Sequence, residues 1–191
     1  MQSNVGPSGS RMVRPVIGAI TMASVLCLPQ PAAAQHKYVG VGKCRVCHMN
    51  AKLGGDNYNA WKESPHAKAF ETLASDKAKA KAKELNIANP QTSERCVKCH
   101  VTAYGVPPAQ VLAGVKNEDG IGCERCHGPG SDYLPNEVMR DKKVAAAKGL
   151  VAVDEKVCRS CHNEESPFYK PFDFKSFMAK IAHPKSGKRT E

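Results

Sequence analysis

The chain has 191 residues, 24% of them charged, with a formal net charge of +10 at neutral pH and a single tryptophan. This charge alone does not indicate nucleic-acid binding, because the sequence contains no DNA- or RNA-recognition motif. Outside the N-terminus no segment is apolar enough to cross a bilayer, so no integral membrane span is expected in the rest of the chain.

Residues 1–34 have the features of an export signal peptide. Arg11 and Arg14 supply the positive region, a short apolar stretch follows, and an Ala-Ala-Ala cleavage site ends at Ala34. We therefore predict cleavage near Ala34 and a periplasmic mature domain of residues 35–191. Removing the two arginines lowers the formal charge of +10 by 2. A retained N-terminal anchor is the alternative to cleavage.

The mature sequence predicts a mainly α fold of short helices and loops, without a βαβ pattern or alternating strands. Ser64 and Pro65 suit an N-cap and a first helical position, so a helix is expected to carry His66. Residues 76–85, rich in Ala, Lys and Glu, predict a further helix. Its lysines scatter around the cylinder, which favours a solvated helix over a dedicated docking surface. Ser93 is expected to cap the next helical turn.

The rest of the chain predicts a loop, a turn and a C-terminal helix. Two prolines and an Asp-Gly pair predict a loop over residues 101–122, and Gly-Pro-Gly at 128–130 predicts a sharp turn. Asp173 is expected to cap a helix that runs to His183, where a proline ends it. Phe177 lies on the apolar face of this helix and suits packing against a porphyrin.

The most informative feature is Cys-x-x-Cys-His, which occurs four times and contains every cysteine of the mature chain. This pentapeptide is the signature of c-type haem attachment. Its two thiols form thioethers with one haem, and the histidine becomes the proximal iron ligand. We therefore predict four covalently attached haem c groups. The four motifs are Cys44, Cys47 and His48; Cys96, Cys99 and His100; Cys123, Cys126 and His127; and Cys158, Cys161 and His162.

Other uses of paired cysteines explain the motifs less well. A four-thiolate zinc site does not require a histidine after every second cysteine. A disulfide framework is possible for an exported chain, but it leaves the four histidines unexplained. A thioredoxin-like redox motif normally occurs once, next to a strand–helix unit.

The histidines are one too few to place two on every iron. The chain has seven histidines, and four of them belong to the motifs. The other three are His36, His66 and His183. Either one haem has an open face, or a methionine or a neighbouring chain completes the ligand set. The candidate methionines are Met49, Met139 and Met178, although packing is the more ordinary role of each.

Four segments resemble the tetrahaem cytochrome c-554 family of ammonia-oxidising bacteria. They are HAKAFETL at 66–73, CVKCHVTAYG at 96–105, GIGCERCHGPG at 120–130 and FKSFMAKIAH at 174–183. The resemblance covers nearly the whole mature chain. It implies a mainly α, irregular fold of short helices and loops wrapped around four haems that are stacked in close pairs. It also implies that the protein accepts electrons from a hydroxylamine oxidoreductase.

The resemblance further implies a set of distal iron ligands. Three haems have two histidine ligands in this family, and the second haem has an open face. By this resemblance His66 is expected opposite His127, and His183 opposite His162. The second haem, held by His100, is expected to be five-coordinate.

The first haem is where the sequence departs from the family. The family takes the distal ligand of this haem from a histidine shortly after the His-Gly-Pro-Gly turn, but residues 131–143 contain no histidine. His36 is the candidate substitute, on the first or the second haem. A solvated residue near a new N-terminus is the alternative for His36.

These features predict a periplasmic tetrahaem electron carrier that is not an enzyme. Its partners are a redox donor and a redox acceptor, which dock transiently with help from the lysines. One alternative is that an open haem binds or reduces nitric oxide or a similar small ligand. Another is a multihaem conducting assembly, in which copies of the chain associate and share ligands.

Overall fold

The computed structural model describes Gln2 and residues 36–50, 52–53 and 55–183. The chain divides into two units, Met1–Ala33 and Ala34–Glu191, and all the helices described belong to the second unit. The signal peptide predicted for residues 1–34 lies outside the described residues, apart from Gln2. No helix in the described part of the chain is both long enough and apolar enough to traverse a membrane.

The described residues form ten short α-helices and two 3-10 helices, with no strand among them, and the predicted mainly α fold is confirmed. The 3-10 helices, Pro108–Gln110 and Asn117–Asp119, lie in the segment predicted as a loop. The α-helices are α1 Val41–His48, α2 Asn57–Lys62, α3 Ala69–Thr72, α4 Asp76–Glu84, α5 Glu94–Val97, α6 Cys123–His127, α7 Asn136–Met139, α8 Lys142–Ala147, α9 Glu155–Arg159 and α10 Phe174–Ile181.

Two helices begin where the sequence predicts them. The Ser75 hydroxyl accepts a hydrogen bond from the Ala78 N–H at the start of α4. At the other end of α4, Asn86 adopts a left-handed conformation with φ of 55°, which is the usual close of a helix by Asn or Gly. The Asp173 carboxylate accepts from the Ser176 N–H at 2.8 Å and caps α10. The predictions of α4 and α10 are therefore confirmed, although α10 ends at Ile181 rather than at His183.

The helix predicted to start at Ser64 is wrong in its boundary. Residues 65–68 form a turn, and α3 begins only at Ala69. The His66 carbonyl accepts a hydrogen bond from the Ile121 N–H at 2.9 Å. The backbone at Gly120 approaches so closely that a Cβ there would lie 2.5 Å from the His66 oxygen. This tertiary contact positions the chain before α3, and the capping signal at Ser64 does not decide the structure.

The segment before α1 contacts residues 110–114, and these contacts position the first motif. The Tyr38 N–H donates to the Gln110 carbonyl at 2.8 Å, and the Tyr38 carbonyl accepts from the Leu112 N–H at 3.0 Å. Gly40 has a φ of 86°, and a Cβ on it would lie 2.0 Å from the Gly114 oxygen. Only glycine fits this backbone contact, so Gly40 sets the position from which α1 starts.

The polypeptide builds only a small apolar core. Nine hydrophobic side chains are buried among the described residues: Val39, Val41, Leu73, Ala82, Val101, Ile121, Tyr133, Ala145 and Phe172. One of them lies in each of α1, α4 and α8, and the other six lie outside the helices, so they do not form one continuous helix face. Short helices of this kind have little stability of their own. Contacts around the four motifs must therefore supply much of the stability of these helices.

Candidate functional site

Each Cys-x-x-Cys-His motif lies on a helical turn. The first and third motifs lie wholly within α1 and α6. The second and fourth start in α5 and α9 and end in the turn that follows each helix. A helical turn brings residues three apart to one face, so both thiols of a motif face the same way. All eight of these cysteines are free thiols, so the structure does not show the disulfide alternative.

The first and third motifs meet at their cysteines. The Cys44 side chain interacts with that of Cys123. This contact, and then burial, raise the pKa of Cys44 far above its usual value. The residues are 79 positions apart by number, so the contact is made by the fold. It places two attachment sites side by side.

The second and fourth motifs meet in the same way. The Cys99 side chain interacts with that of Cys161, which raises the pKa of Cys99. The same interaction lowers the pKa of Cys161 to about 5, against the opposing effect of burial, and Arg125 adds to the lowering. Burial, and then the charges of Cys158 and Cys161, raise the pKa of Cys126 in the third motif. The third motif therefore neighbours both the first and the fourth.

Two pairs of histidines face each other, and the pairing differs from the prediction. The ring centroids of His66 and His162 are 6.0 Å apart, and those of His127 and His183 are 5.9 Å apart. His66 thus lies against His162 and His183 against His127, whereas the family resemblance implies His66 opposite His127 and His183 opposite His162.

The spacing within each pair fits an iron between the rings. Imidazole–metal bonds are about 2.0–2.1 Å long, so two imidazoles on opposite faces of one metal have centroids roughly 6 Å apart. Burial lowers the pKa of His66, His127 and His183, and the nearby histidines lower them further. A lowered pKa keeps an imidazole neutral, which is the form that binds a metal. The donor set therefore fits two haems with two histidine ligands each.

Aromatic side chains frame the fourth motif. The Phe172 ring stacks on the His162 ring at 5.0 Å, and the Phe177 ring lies 5.8 Å from the same imidazole. The sequence predicts that Phe177 packs on a porphyrin, and in the structure it lies beside the histidine of an attachment motif. Phe172 was missed by the sequence reasoning, since a lone phenylalanine next to a proline carries no periodic signal.

The remaining two motif histidines are positioned by polar groups. The His100 Nδ1 lies 2.6 Å from the Ala69 carbonyl oxygen, to which it donates. This bond fixes the ring and leaves Nε2 as the ligating nitrogen. No ring contact joins His100 to another histidine within the described residues. His48 Nδ1 lies 3.1 Å from the side-chain amide of Asn57 in α2.

His36 is held in place and is not a loose terminal residue. Its Nδ1 lies 2.9 Å from an Asp132 carboxylate oxygen. Its ring packs against Gly149, where a Cβ would lie 3.0 Å from an imidazole carbon. A carboxylate on Nδ1 orients a histidine so that Nε2 can bind a metal. The structure therefore brings His36 beside the third motif's exit turn, and its side chain is 36% exposed.

The methionines differ in their surroundings. The Met49 sulfur accepts a hydrogen bond from the Arg45 Nε at 3.3 Å, and Met49 is exposed at the end of α1. Met139 ends α7, and Met178 lies within α10, both partly buried.

Glu124, inside the third motif, was missed as a structural centre. By sequence alone it could equally be a surface charge, but it is only 2% exposed. Its carboxylate accepts hydrogen bonds from the N–H groups of Val39, Gly40 and Gly130 at 2.7–2.8 Å. It thus ties the segment before α1 to the third motif and its exit turn. The available signal was an acid four residues before a Gly-Pro-Gly turn, because such turns present unpaired N–H groups.

Arg125 is the second missed residue. Its Nη2 donates to the Lys98 carbonyl at 3.4 Å and lies 3.5 Å from the Cys161 sulfur. A single guanidinium on the third motif therefore reaches the second and the fourth. An arginine between two motif cysteines has no local signature of such contacts, so the sequence could not reveal them.

Comparison with known proteins agrees with this arrangement. The sequence model of the family described as "Cytochrome c554 and c-prime" matches residues 43–128, which include the first three motifs. Cytochrome c-554 of Nitrosomonas europaea is 32% identical over 167 residues, covering 75% of this chain and 68% of the relative. No solved structure matches the chain significantly.

Proposed function

We propose, on the premise that this chain belongs to the cytochrome c-554 family, that it is a tetrahaem relay for single electrons in the periplasm. Membership of the family makes it a c-type cytochrome that carries electrons. The number of four haems, the periplasmic location and the role between two exported redox proteins are the proposal. The observation that carries it is the placing of each Cys-x-x-Cys-His motif on a helical turn, with two of the motif histidines each facing a further histidine ring.

The chain's own residues would hold the cofactors as follows. The eight motif cysteines attach the four haems, whose irons supply one-electron redox chemistry when bound. His66 with His162, and His127 with His183, are proposed as the two ligands of the fourth and third irons. The 6.0 and 5.9 Å ring separations support this assignment. His36, oriented by Asp132, is proposed as a ligand for the first iron.

Close attachment sites favour electron transfer along the molecule. The cysteine contacts bring the first motif to the third, and the second to the fourth, while Cys126 neighbours the fourth. This supports a continuous route from the first haem through the third and fourth to the second. The resemblance to the family implies stacked pairs, and the thiol contacts are consistent with such pairing.

The proposed donor is a protein of the hydroxylamine oxidoreductase type, and docking is proposed at one surface. The exposed Phe168 ring has Lys77 Nζ at 4.9 Å and Lys81 Nζ at 5.9 Å from its centroid. We call these three residues the Phe168 surface. Phe168 belongs to the segment that follows the fourth motif. Lys98 of the second motif forms an ion pair with Glu165 in the same segment. An apolar centre with flanking cations suits an acidic redox partner.

The test is a haem count followed by a reduction assay. The purified protein is expected to contain four haems per chain by pyridine haemochrome assay and mass spectrometry, and to lose residues 1–34 on export. Reduction by a hydroxylamine oxidoreductase with hydroxylamine is then followed by stopped-flow absorbance. Fewer than four haems, or a cytoplasmic product, contradicts the relay. Four haems with no reduction by this donor removes only the donor.

A second candidate function is binding of nitric oxide at the second haem. It is supported by His100, which has no histidine ring against it among the described residues. Electron paramagnetic resonance of the ferric protein is expected to show one high-spin haem, which binds nitric oxide after reduction. Four low-spin haems that do not react with nitric oxide exclude this function and leave the relay.

A further inference from the structure

Arg125 places one positive charge where three attachment motifs meet. It stands between the cysteines of the third motif, on α6. Its Nη2 is 3.4 Å from the Lys98 carbonyl of the second motif and 3.5 Å from the Cys161 sulfur of the fourth. The side chain is partly buried, so solvent and salt screen its charge less than that of a surface arginine.

Glu124, the neighbour of Arg125 in the sequence, carries the charge beside the first motif. Its carboxylate accepts hydrogen bonds from the Val39 and Gly40 N–H groups, directly before α1, at 2.8 Å. The Arg125 guanidinium has its contacts at the second and fourth motifs instead. The two charges, adjacent in sequence, therefore contact different motifs.

We propose that Arg125 raises the reduction potentials of the haems attached at the second and fourth motifs relative to the first. The inference rests on the proposed function only in requiring haem at these motifs. Each transfer moves one electron from a ferrous to a ferric iron, with no bond made or broken. Reduction removes one unit of positive charge, so a fixed positive charge nearby stabilises the reduced state. A guanidinium does not deprotonate in proteins, and the effect is therefore independent of pH.

The experiment compares potentials in three variants of the four-haem protein. Redox titration monitored by electron paramagnetic resonance separates the haems by their signals. R125Q removes the charge, and R125K keeps it and loses only the planar geometry of the guanidinium. R140Q removes the charge of an exposed arginine directly after α7. We expect R125Q to shift the potentials of the second and fourth haems to more negative values than that of the first. R125K and R140Q are expected to stay close to the unchanged protein.

The outcomes separate this inference from the function. If R125Q shifts no potential more than R140Q does, or if R125K shifts them as much as R125Q, charge at this position does not tune the haems. An unchanged protein without four haems contradicts the proposed function instead, and the haem count reports this independently.

A second variant covers a failure of R125Q to bind four haems. The Ser160 hydroxyl is exposed and 3.7 Å from the Cys161 sulfur. S160D places a negative charge beside the Cys161 sulfur, where it opposes the positive charge of Arg125. S160N is the neutral control. S160D is expected to lower the potential of the fourth haem relative to S160N. Equal potentials in these two variants overturn the inference.

Discussion

A buried carboxylate at residue 124 organises the backbone around the first and third motifs. Glu124 accepts hydrogen bonds from Val39, Gly40 and Gly130, which come from two segments far apart in sequence. Each of these N–H groups is buried, and a buried donor without a partner is costly. The acid therefore acts as a structural centre for the pair of motifs that it joins.

E124A is expected to destabilise the haem-containing protein by at least about 3 kcal/mol, since three buried donors lose their acceptor at about 1–3 kcal/mol each. Chemical unfolding followed by circular dichroism in the haem absorption band measures this. E137A, at an exposed glutamate of α7, is the matched control and is expected to change stability by less than about 0.5 kcal/mol. Equal stability of the two variants would show that Glu124 is not structurally important.

The pairing of distal and proximal histidines can be tested at the residue scale. H66Q and H183Q are each expected to convert one low-spin haem to high-spin, as seen by electron paramagnetic resonance. Removal of the fourth attachment site by C158S/C161S should abolish the effect of H66Q and leave that of H183Q, because only His66 lies against His162. The opposite result, in which H183Q loses its effect, supports the pairing that the family resemblance implies.

At the scale of elements, the helices are short and depend on their ends. The Asp173 carboxylate accepts from the Ser176 N–H at the start of α10. This helix brings Phe177 to within 5.8 Å of the His162 ring and leads directly to His183. An unstable first turn of α10 would therefore disturb the positions of two of the proposed iron ligands.

D173A is expected to cost about 1 kcal/mol, the usual effect of losing an N-cap. It should also speed the replacement of His183 by an added ligand such as cyanide or imidazole, measured by absorbance of the ferric protein. D173N is the control, because asparagine caps helices as well as aspartate does. If D173N is affected as strongly as D173A, charge and not capping is responsible.

At the scale of the whole molecule, the proposed docking surface is formed by residues from two distant parts of the chain. The Phe168 surface combines an exposed ring with two lysines from α4. The sequence pattern of this helix favours solvated lysines without a docking role. Their convergence on one aromatic ring is a property of the folded chain, because Phe168 and α4 are distant in sequence.

K77E/K81E is expected to slow reduction by an acidic donor at least about tenfold at low salt, since reversed charges oppose electrostatically steered association. Stopped-flow rates across a range of ionic strength measure the effect, which should shrink as salt rises. K142E/K143E makes the same change in charge at two exposed lysines of α8. Equal slowing by both pairs would assign the effect to net charge and exclude a dedicated surface.

The sequence by itself determined the features that depend on neighbouring residues. The four Cys-x-x-Cys-His motifs, and with them the family, can be recognised from segments of five residues, because the chemistry of each motif does not depend on the rest of the fold. The helices α4 and α10 follow from local capping and composition, which act within one or two turns. The mainly α class follows for the same reason.

Only the tertiary structure decided which motifs and histidines meet. The contacts of Cys44 with Cys123, of His66 with His162, and of Arg125 with the fourth motif join residues far apart along the chain. A contact of this kind has no periodic or compositional signature, because its energy comes from groups that only the fold brings together. Even the boundary of α3 was set in this way, by a backbone hydrogen bond to His66 from a residue 55 positions later by number.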